Sequence, residues 1–193
     1  TGAVRYLGRT LYKMRSRYPG IRFHLFSGNG EDVSDRLDKG LIDFALFVGM
    51  TDLKKYDYLK LPYHHRWGLI LRKDDPLAAH EAVTPEMLMN VPILCSRQAL
   101  IQNELSGWLG RPFEELNPAG TYNLIYNAAI MVEEGLGCAV CIDKLLDTSG
   151  ESAVCFRPFE PAIDAELFIA WKKYQFFSAA AGKFLEMLQQ ELD

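Results

Sequence analysis

Apolar residues fall at Val4, Leu7, Leu11, Met14 and Tyr18, with Arg5, Arg9, Lys13, Arg15 and Arg17 between them. Spacings of three and four gather the apolar set on one helical face, so the pattern predicts an amphipathic helix over residues 3–18, ended by Pro19-Gly20. The period then drops to two. IRFHLF (21–26) alternates like a strand, EDVSDRLDK (31–39) reads as a short helix stopped by Gly40, and IDFALFV (42–48) is an apolar run suited to a buried strand. YDYLKLPY and RWGLILRK (66–73) predict two further strands, after which Pro76, Pro85 and Pro92 mark a crossing region. A second series follows. PILCS (92–96) reads as a strand and ALIQNELSGWLG (99–110) as a helix. Next come a strand ending near Thr121, an apolar helix closed by Gly135-Leu136-Gly137, and strand CAVCI (138–142). VCFRPF (154–159), ELFIAW (166–171) and a final helix over 176–192 complete the chain. Helices and strands alternating over short loops predict an α/β fold with a largely parallel sheet.

Composition narrows the class. The 193 residues suffice for one domain or two small lobes, and 49% hydrophobic with 24% charged residues excludes a disordered chain. A net charge of −4 and a pI near 5.6 lack the basic footprint of a surface that binds phosphate backbones by itself. No run approaches the roughly 18 apolar residues of a membrane span, and residues 1–15 have no apolar run of the signal-peptide kind. With four irregularly spaced cysteines, these features predict free thiols in a reducing compartment, the cytoplasm. A first residue Thr1 at what reads as a helix entrance predicts a fragment of something longer.

The candidate chemistry is mostly structural. Gly135 and Gly137 follow a helix and precede a strand, the reverse of a dinucleotide-binding fingerprint, and so predict a helix stop. Cys138 and Cys141 have C-x-x-C spacing, but residues three apart on a strand point to opposite faces, which predicts buried thiols and no metal. Cys95 with His64 or His65 as base lacks an orienting motif, so no catalytic residue is assigned. His64-His65-Arg66 reads as a strand entrance with one histidine exposed, and the five cations of the first helix as a solvated face. Polar residues at three helix entrances remain: Thr1-Gly2, Ser96-Arg97-Gln98 and Thr121-Tyr122-Asn123. Each alone reads as a helix cap. Together, at the ends of strands, they read as a site for an anion or polar ligand.

In their order and spacing, RYPGIRFHL, GLIDFAL, LILRKDDPLA and YNLIYNAAIMVEEGLGCAV resemble the effector-binding domain of LysR-type transcriptional regulators. The resemblance implies a type 2 periplasmic-binding-protein fold, α/β with two Rossmann-like lobes joined by two crossing strands and a small-molecule effector in the cleft. Lobe one would be 1–72 with 164–193, and lobe two 73–163. The family's N-terminal DNA-binding helix-turn-helix domain and its usual first strand would be absent from this chain. Carried over by position, the effector-binding residues are Thr1, Gly2, Val48, Gly49, Met50, Ser96, Arg97, Gln98, Thr121, Tyr122 and Asn123. Arg97 points to a small polar or anionic effector. Where the family usually has proline after GLGCAVCI, this chain has Asp143.

The implied function is that of a non-catalytic ligand-sensing module of a transcription regulator, without cofactor, metal or membrane partner. DNA would be reached only through the missing domain. A homodimer is implied, with a tetramer open to the full-length protein. Val4, Leu7, Leu11 and Met14 of one copy would lie beside Ile125, Ala129 and Val132 of the other. The alternative is a transport-type solute-binding protein of the same fold.

Overall fold

The computed structural model describes residues 1–49, 53–96 and 104–192. The chain divides into two compact units, Thr1–His64 with Glu166–Asp193, and His65–Ala165. It passes from one to the other twice, each time within a β-strand.

In unit 1, helix α1 (Val4–Arg17) and helix α2 (Gly30–Asp38) form where the apolar period predicts them. Asn29 caps α2, its side chain accepting from the Asp32 N–H at 2.8 Å. Gly40 ends it at φ +69, with Gly40 N–H bonded to the Leu37 carbonyl and Leu41 N–H to that of Arg36. That pair of bonds is the Schellman stop, which a residue with a Cβ enters only at a cost. Strand β1 (Ala45–Val48) pairs antiparallel with β7 (Asp164–Lys172), Phe47 opposite Phe168. Alternation along β1 builds two cores. Ala45 and Phe47 join Leu37 of α2 and Tyr56, while Phe44, Leu46 and Val48 join Met14, Leu167, Ile169 and Leu188. Leu188 belongs to helix α5 (Ala179–Leu192), which packs on α1 and holds Lys13 through Glu191.

Unit 2 carries the strand order β6-β2-β5-β3-β4. Its members are the later half of β2 (Tyr56–Arg72), β3 (Pro92–Ser96), β4 (Asn117–Tyr122), β5 (Cys138–Ile142) and β6 (Val154–Pro158). Helix α3 is described over Glu104–Leu109, and the start of the helix expected over 99–110 lies outside the described residues. Helix α4 (Ile125–Glu133) covers the sheet with Ala128, Ala129 and Val132. Gly135 ends it at φ +87 by a second Schellman pair, Gly135 N–H to the Val132 carbonyl and Leu136 N–H to that of Met131. The glycine pair is a helix stop, as its order after a helix predicts.

Four expectations are corrected. The two strands expected over 56–63 and 66–73 are one continuous strand, β2, because Pro62 removes one donor without turning the chain. The alternating segment 21–26 pairs with no strand among the described residues. Phe23 and Leu25 stay exposed, and Phe26 lies under the Arg36 guanidinium, 4.0 Å from its ring centroid. Alternation marks a strand's faces, but a strand exists only through its ladder. The sheet is mixed rather than largely parallel. β3 runs parallel to β4 and β5, while β1–β7, β2–β5 and β2–β6 are antiparallel. Finally, α5 begins at Ala179 and not at residue 176, because the Ser178 hydroxyl accepts the Ala181 N–H at 3.1 Å and sets the helix entrance there.

Candidate functional site

The parallel strands β3 and β4 end side by side, with Cys95 opposite Thr121 and Ser96 opposite Tyr122. Asn123 follows, and α4 starts two residues later at Ile125. Thr121 and Asn123 are exposed and Ser96 is half-buried, so three short polar side chains gather at the carboxyl ends of two neighbouring parallel strands. Ligands of open α/β sheets bind at such ends. Tyr122 is taken up by the unit's own interior. Its hydroxyl donates to the Val140 carbonyl at 2.6 Å, its ring packs on the core under α4, and burial pushes the phenol's pKa up.

The helix entrances separate into two kinds. α2 and α5 are closed by the side chains of Asn29 and Ser178. At α4 the cap position is Leu124, and at α1 it is Ala3, neither with a side-chain cap bond. Leu and Ala offer no side-chain acceptor; at α1 the Val4, Arg5 and Tyr6 N–H groups donate instead to the Thr1, Gly2 and Ala3 carbonyls, while the α4 entrance keeps the partial positive charge that attracts polar and anionic groups. At α1 the Ala3 N–H reaches Thr1 Oγ1 at 3.3 Å. A Cβ on Gly2 would stand 2.7 Å from the Tyr63 hydroxyl, so residue 2 must be small for Tyr63 to lie against this entrance. Val48 ends β1 partly buried, and Gly49 turns the chain at φ +62 with its N–H on the Glu166 carbonyl at 2.8 Å. Met50, Arg97 and Gln98 lie outside the described residues.

The thiols are packing groups. All four cysteines are free and buried. Burial pushes Cys95 and Cys138 up to about 12 and raises Cys141 as well. A thiol so raised supplies almost no thiolate near neutrality, the character of a packing group. His64 is exposed. His65 is wholly buried, its Nδ1 2.6 Å from Asp143 Oδ1. The sequence reading singled out both His65 and Asp143 but missed their pairing. The signal was there in a carboxylate at a position where the family resemblance leads one to expect proline.

Of the seven residues expected to face a second copy, Val4 is exposed and the other six turn to the cores of their own units. Met14, Ala129 and Val132 are buried in the cores of their own units, and Leu7, Leu11 and Ile125 pack partly against those cores. The exposed apolar residues of α4 are Tyr126, Ile130 and Met131. On α1 the outer face carries Tyr12 and the cations, with a shallow open depression lined by Arg5, Gly8, Arg9, Tyr12 and Lys13. Small-molecule sites are concave, and this depression lies open on one helix face.

A mixed α/β chain with polar groups at the carboxyl ends of parallel strands has the architecture on which open sheets hold ligands. The LysR substrate binding domain family matches residues 1–193, and the chain belongs to that family. It is 24% identical over 193 residues to the uncharacterized HTH-type transcriptional regulator YvbU of Bacillus subtilis (strain 168), a match covering 98% of this chain and 64% of the regulator. The chain thus spans just under two thirds of that relative's length. Two solved structures share the fold. The regulatory domain of CcmR from Synechocystis PCC6803, in complex with 2-PG, superposes with a TM-score of 0.75 at 20% identity, covering 100% of this chain and 94% of that one. The effector binding domain of QuiR in complex with shikimate gives 0.79 at 13% identity, covering 96% and 90%. Among the described residues, no helix is long and apolar enough to cross a membrane.

Proposed function

We propose that this chain is the ligand-sensing part of a longer transcriptional regulator of the cytoplasm, binding a small polar or anionic effector without chemical turnover. The observation that carries the reading is the α4 entrance: an uncapped helix N-terminus beside Ser96, Thr121 and Asn123 at the ends of two parallel strands. The family resemblance adds Thr1, Gly2, Val48, Gly49, Met50, Arg97 and Gln98 as ligand contacts, and leaves Tyr122 a positioning role through its bond to Val140. Effector occupancy then biases DNA binding or transcription by the full-length protein.

A second copy of the chain is the proposed partner. The outer face of α1 carries Arg5, Arg9, Lys13, Arg15 and Arg17, of which Arg9 and Lys13 pair with Glu191 of α5, whereas the outer face of α4 exposes Tyr126, Asn127, Ile130 and Met131 and ends in Glu133-Glu134. Laid antiparallel across a two-fold axis, each face would meet its complement twice.

The test is a thermal-shift screen of small hydroxylated and phosphorylated carboxylates, starting from shikimate and 2-PG. A ligand confined to the folded state at a hundred times its Kd stabilises by about 2.7 kcal/mol. Hits whose affinity survives Ser96→Ala and Asn123→Ala together would remove these residues from the site.

A further inference from the structure

Between β7 and α5 the chain runs Trp171-Lys172-Lys173-Tyr174-Gln175-Phe176-Phe177, and its aromatic residues divide into two sets. Trp171 and Phe177 gather around Phe44 of unit 1. The Phe177 ring stacks on it at 5.1 Å between centroids, and Trp171 meets it edge-on at 6.2 Å. Phe44 continues the cluster to Phe184 of α5. Tyr174 and Phe176 stay in water, 94% and 101% exposed, as open as in an unfolded chain.

The turn that carries them is braced. The Gln175 N–H bonds the Lys172 carbonyl at 3.3 Å, the Lys173 N–H reaches the Lys55 carbonyl at 3.4 Å, and Lys172 Nζ donates to the Asp38 carbonyl at 3.1 Å. Tyr174 sits in it at φ +60, a conformation suited to glycine or asparagine and uncommon for a bulky side chain. Its exposed ring contributes nothing within the unit that could offset that strain. Lysines surround the pair. Lys172 and Lys173 precede Tyr174, and the Lys173–Lys55 bond brings Lys54 and Lys55 beside them, all four exposed. Asp38 answers one of these charges, 3.9 Å from Lys55 Nζ.

We propose that this turn is a docking surface for an acidic segment of another protein that also carries apolar side chains, with Tyr174 and Phe176 as anchors inside a rim of lysines. Exposed aromatic side chains on a braced turn supply contact area at little ordering cost, the character of protein hot spots. The lysines around them call for carboxylates opposite, and such charge complementarity gives a contact its speed and selectivity. Two rings and their rim fall short of the roughly 800 Å² per partner of a stable complex, so the occupant is a short segment held briefly rather than a folded domain. Duplex DNA would engage the lysines and leave the Phe176 ring without a partner. The surface belongs to unit 1 alone and does not depend on the effector reading.

The experiment is selection of a random peptide library displayed on phage against the full chain, each selected peptide then being synthesised and titrated by fluorescence anisotropy. Selected peptides should combine Asp or Glu with Leu, Phe or Trp, and should bind Y174N/F176S and K173E at least about tenfold more weakly than wild type. Asparagine suits φ +60 and both rings are exposed, so the double variant should melt with the wild-type chain. Should it melt early, K173E, which leaves both rings in place, decides. Y12S, at the exposed tyrosine among the cations of α1, should leave affinity unchanged. Peptides that bind Y174N/F176S and K173E as tightly as wild type, that carry no acids, or that lose affinity in Y12S instead overturn the proposal, as does a selection that yields none. Tighter binding of duplex DNA or of phosphatidylglycerol vesicles through the same residues overturns it too, by giving the surface another class of partner.

Discussion

Ser96 is the parallel register partner of Tyr122, so the two side chains leave the sheet on one face, yet their surroundings differ. Tyr122 sends its hydroxyl inward to the Val140 carbonyl, and Ser96 stays half-buried beside the exposed Asn123. Tyr122→Phe should therefore lower the unfolding free energy by roughly 0.5–1.5 kcal/mol, the worth of one hydrogen bond, and leave affinity for any screened ligand within twofold. Ser96→Ala and Asn123→Ala should do the reverse, each weakening binding by roughly 0.5–1.5 kcal/mol with little change in stability. Urea unfolding and calorimetric titration of the three variants give the comparison.

The two glycines after α4 differ in what surrounds them. A Cβ at Gly135, φ +87, meets nothing within 4 Å, so Gly135→Ala should cost about 1–2 kcal/mol, the left-handed conformation alone. At Gly137, φ +128, the Cβ would stand 2.1 Å from the Pro92 carbonyl oxygen, and backbone must shift where β3 begins. Gly137→Ala should cost more than Gly135→Ala by at least about 1 kcal/mol. Equal urea midpoints for the two variants would contradict the close approach to Pro92.

The buried thiols make a statement about alkaline pH. Cys95 and Cys138 are raised from 9.0 to about 12, so the folded chain holds these protons more tightly than the unfolded one. Their stabilising contribution is complete below about pH 9 and is lost as pH rises toward 12. Stability measured between pH 8 and pH 11 should fall with a slope that Cys95→Ala and Cys138→Ala reduce. Iodoacetamide at pH 8 should leave all four cysteines unmodified in the folded protein and alkylate all four in urea, read by mass spectrometry. EDTA should leave Tm unchanged.

For the proposed dimer, the decisive residues are on the outside of α4. Ile130→Glu and Met131→Glu place charge where a second copy would bury apolar surface, and should convert a dimer to monomer by analytical ultracentrifugation at micromolar concentration. The fold should remain intact, because neither side chain belongs to the core of unit 2. Val132→Glu should instead unfold unit 2, since Val132 is wholly buried. A wild-type chain that sediments only as a monomer would end the proposal.

The sequence alone determined what is local. The spacing of Leu7, Leu11 and Met14 set the inner face of α1. Gly40 marked the end of α2, and the position of Gly135 after an apolar helix marked a stop rather than a nucleotide loop. The strands PILCS and CAVCI were legible to the residue, because an apolar run between breakers leaves few alternatives. The polar strand ends at Ser96, Thr121 and Asn123 were legible as candidates for the same reason. Tertiary structure decided what depends on partners distant in sequence. The alternation of 21–26 could not reveal that no described strand pairs with it, nor could Pro62 reveal that β2 runs through it unbroken. The period of the β7 residues could not say that they run antiparallel to β1. Tyr122 reads as one more polar residue at a helix entrance until the Val140 carbonyl, 18 positions away, claims its hydroxyl. His65 and Asp143, 78 positions apart, become a pair only when the β2–β5 register brings them together. Hydrophobic period fixes which faces of a segment seek burial, whereas register and strand direction are set by the whole sheet.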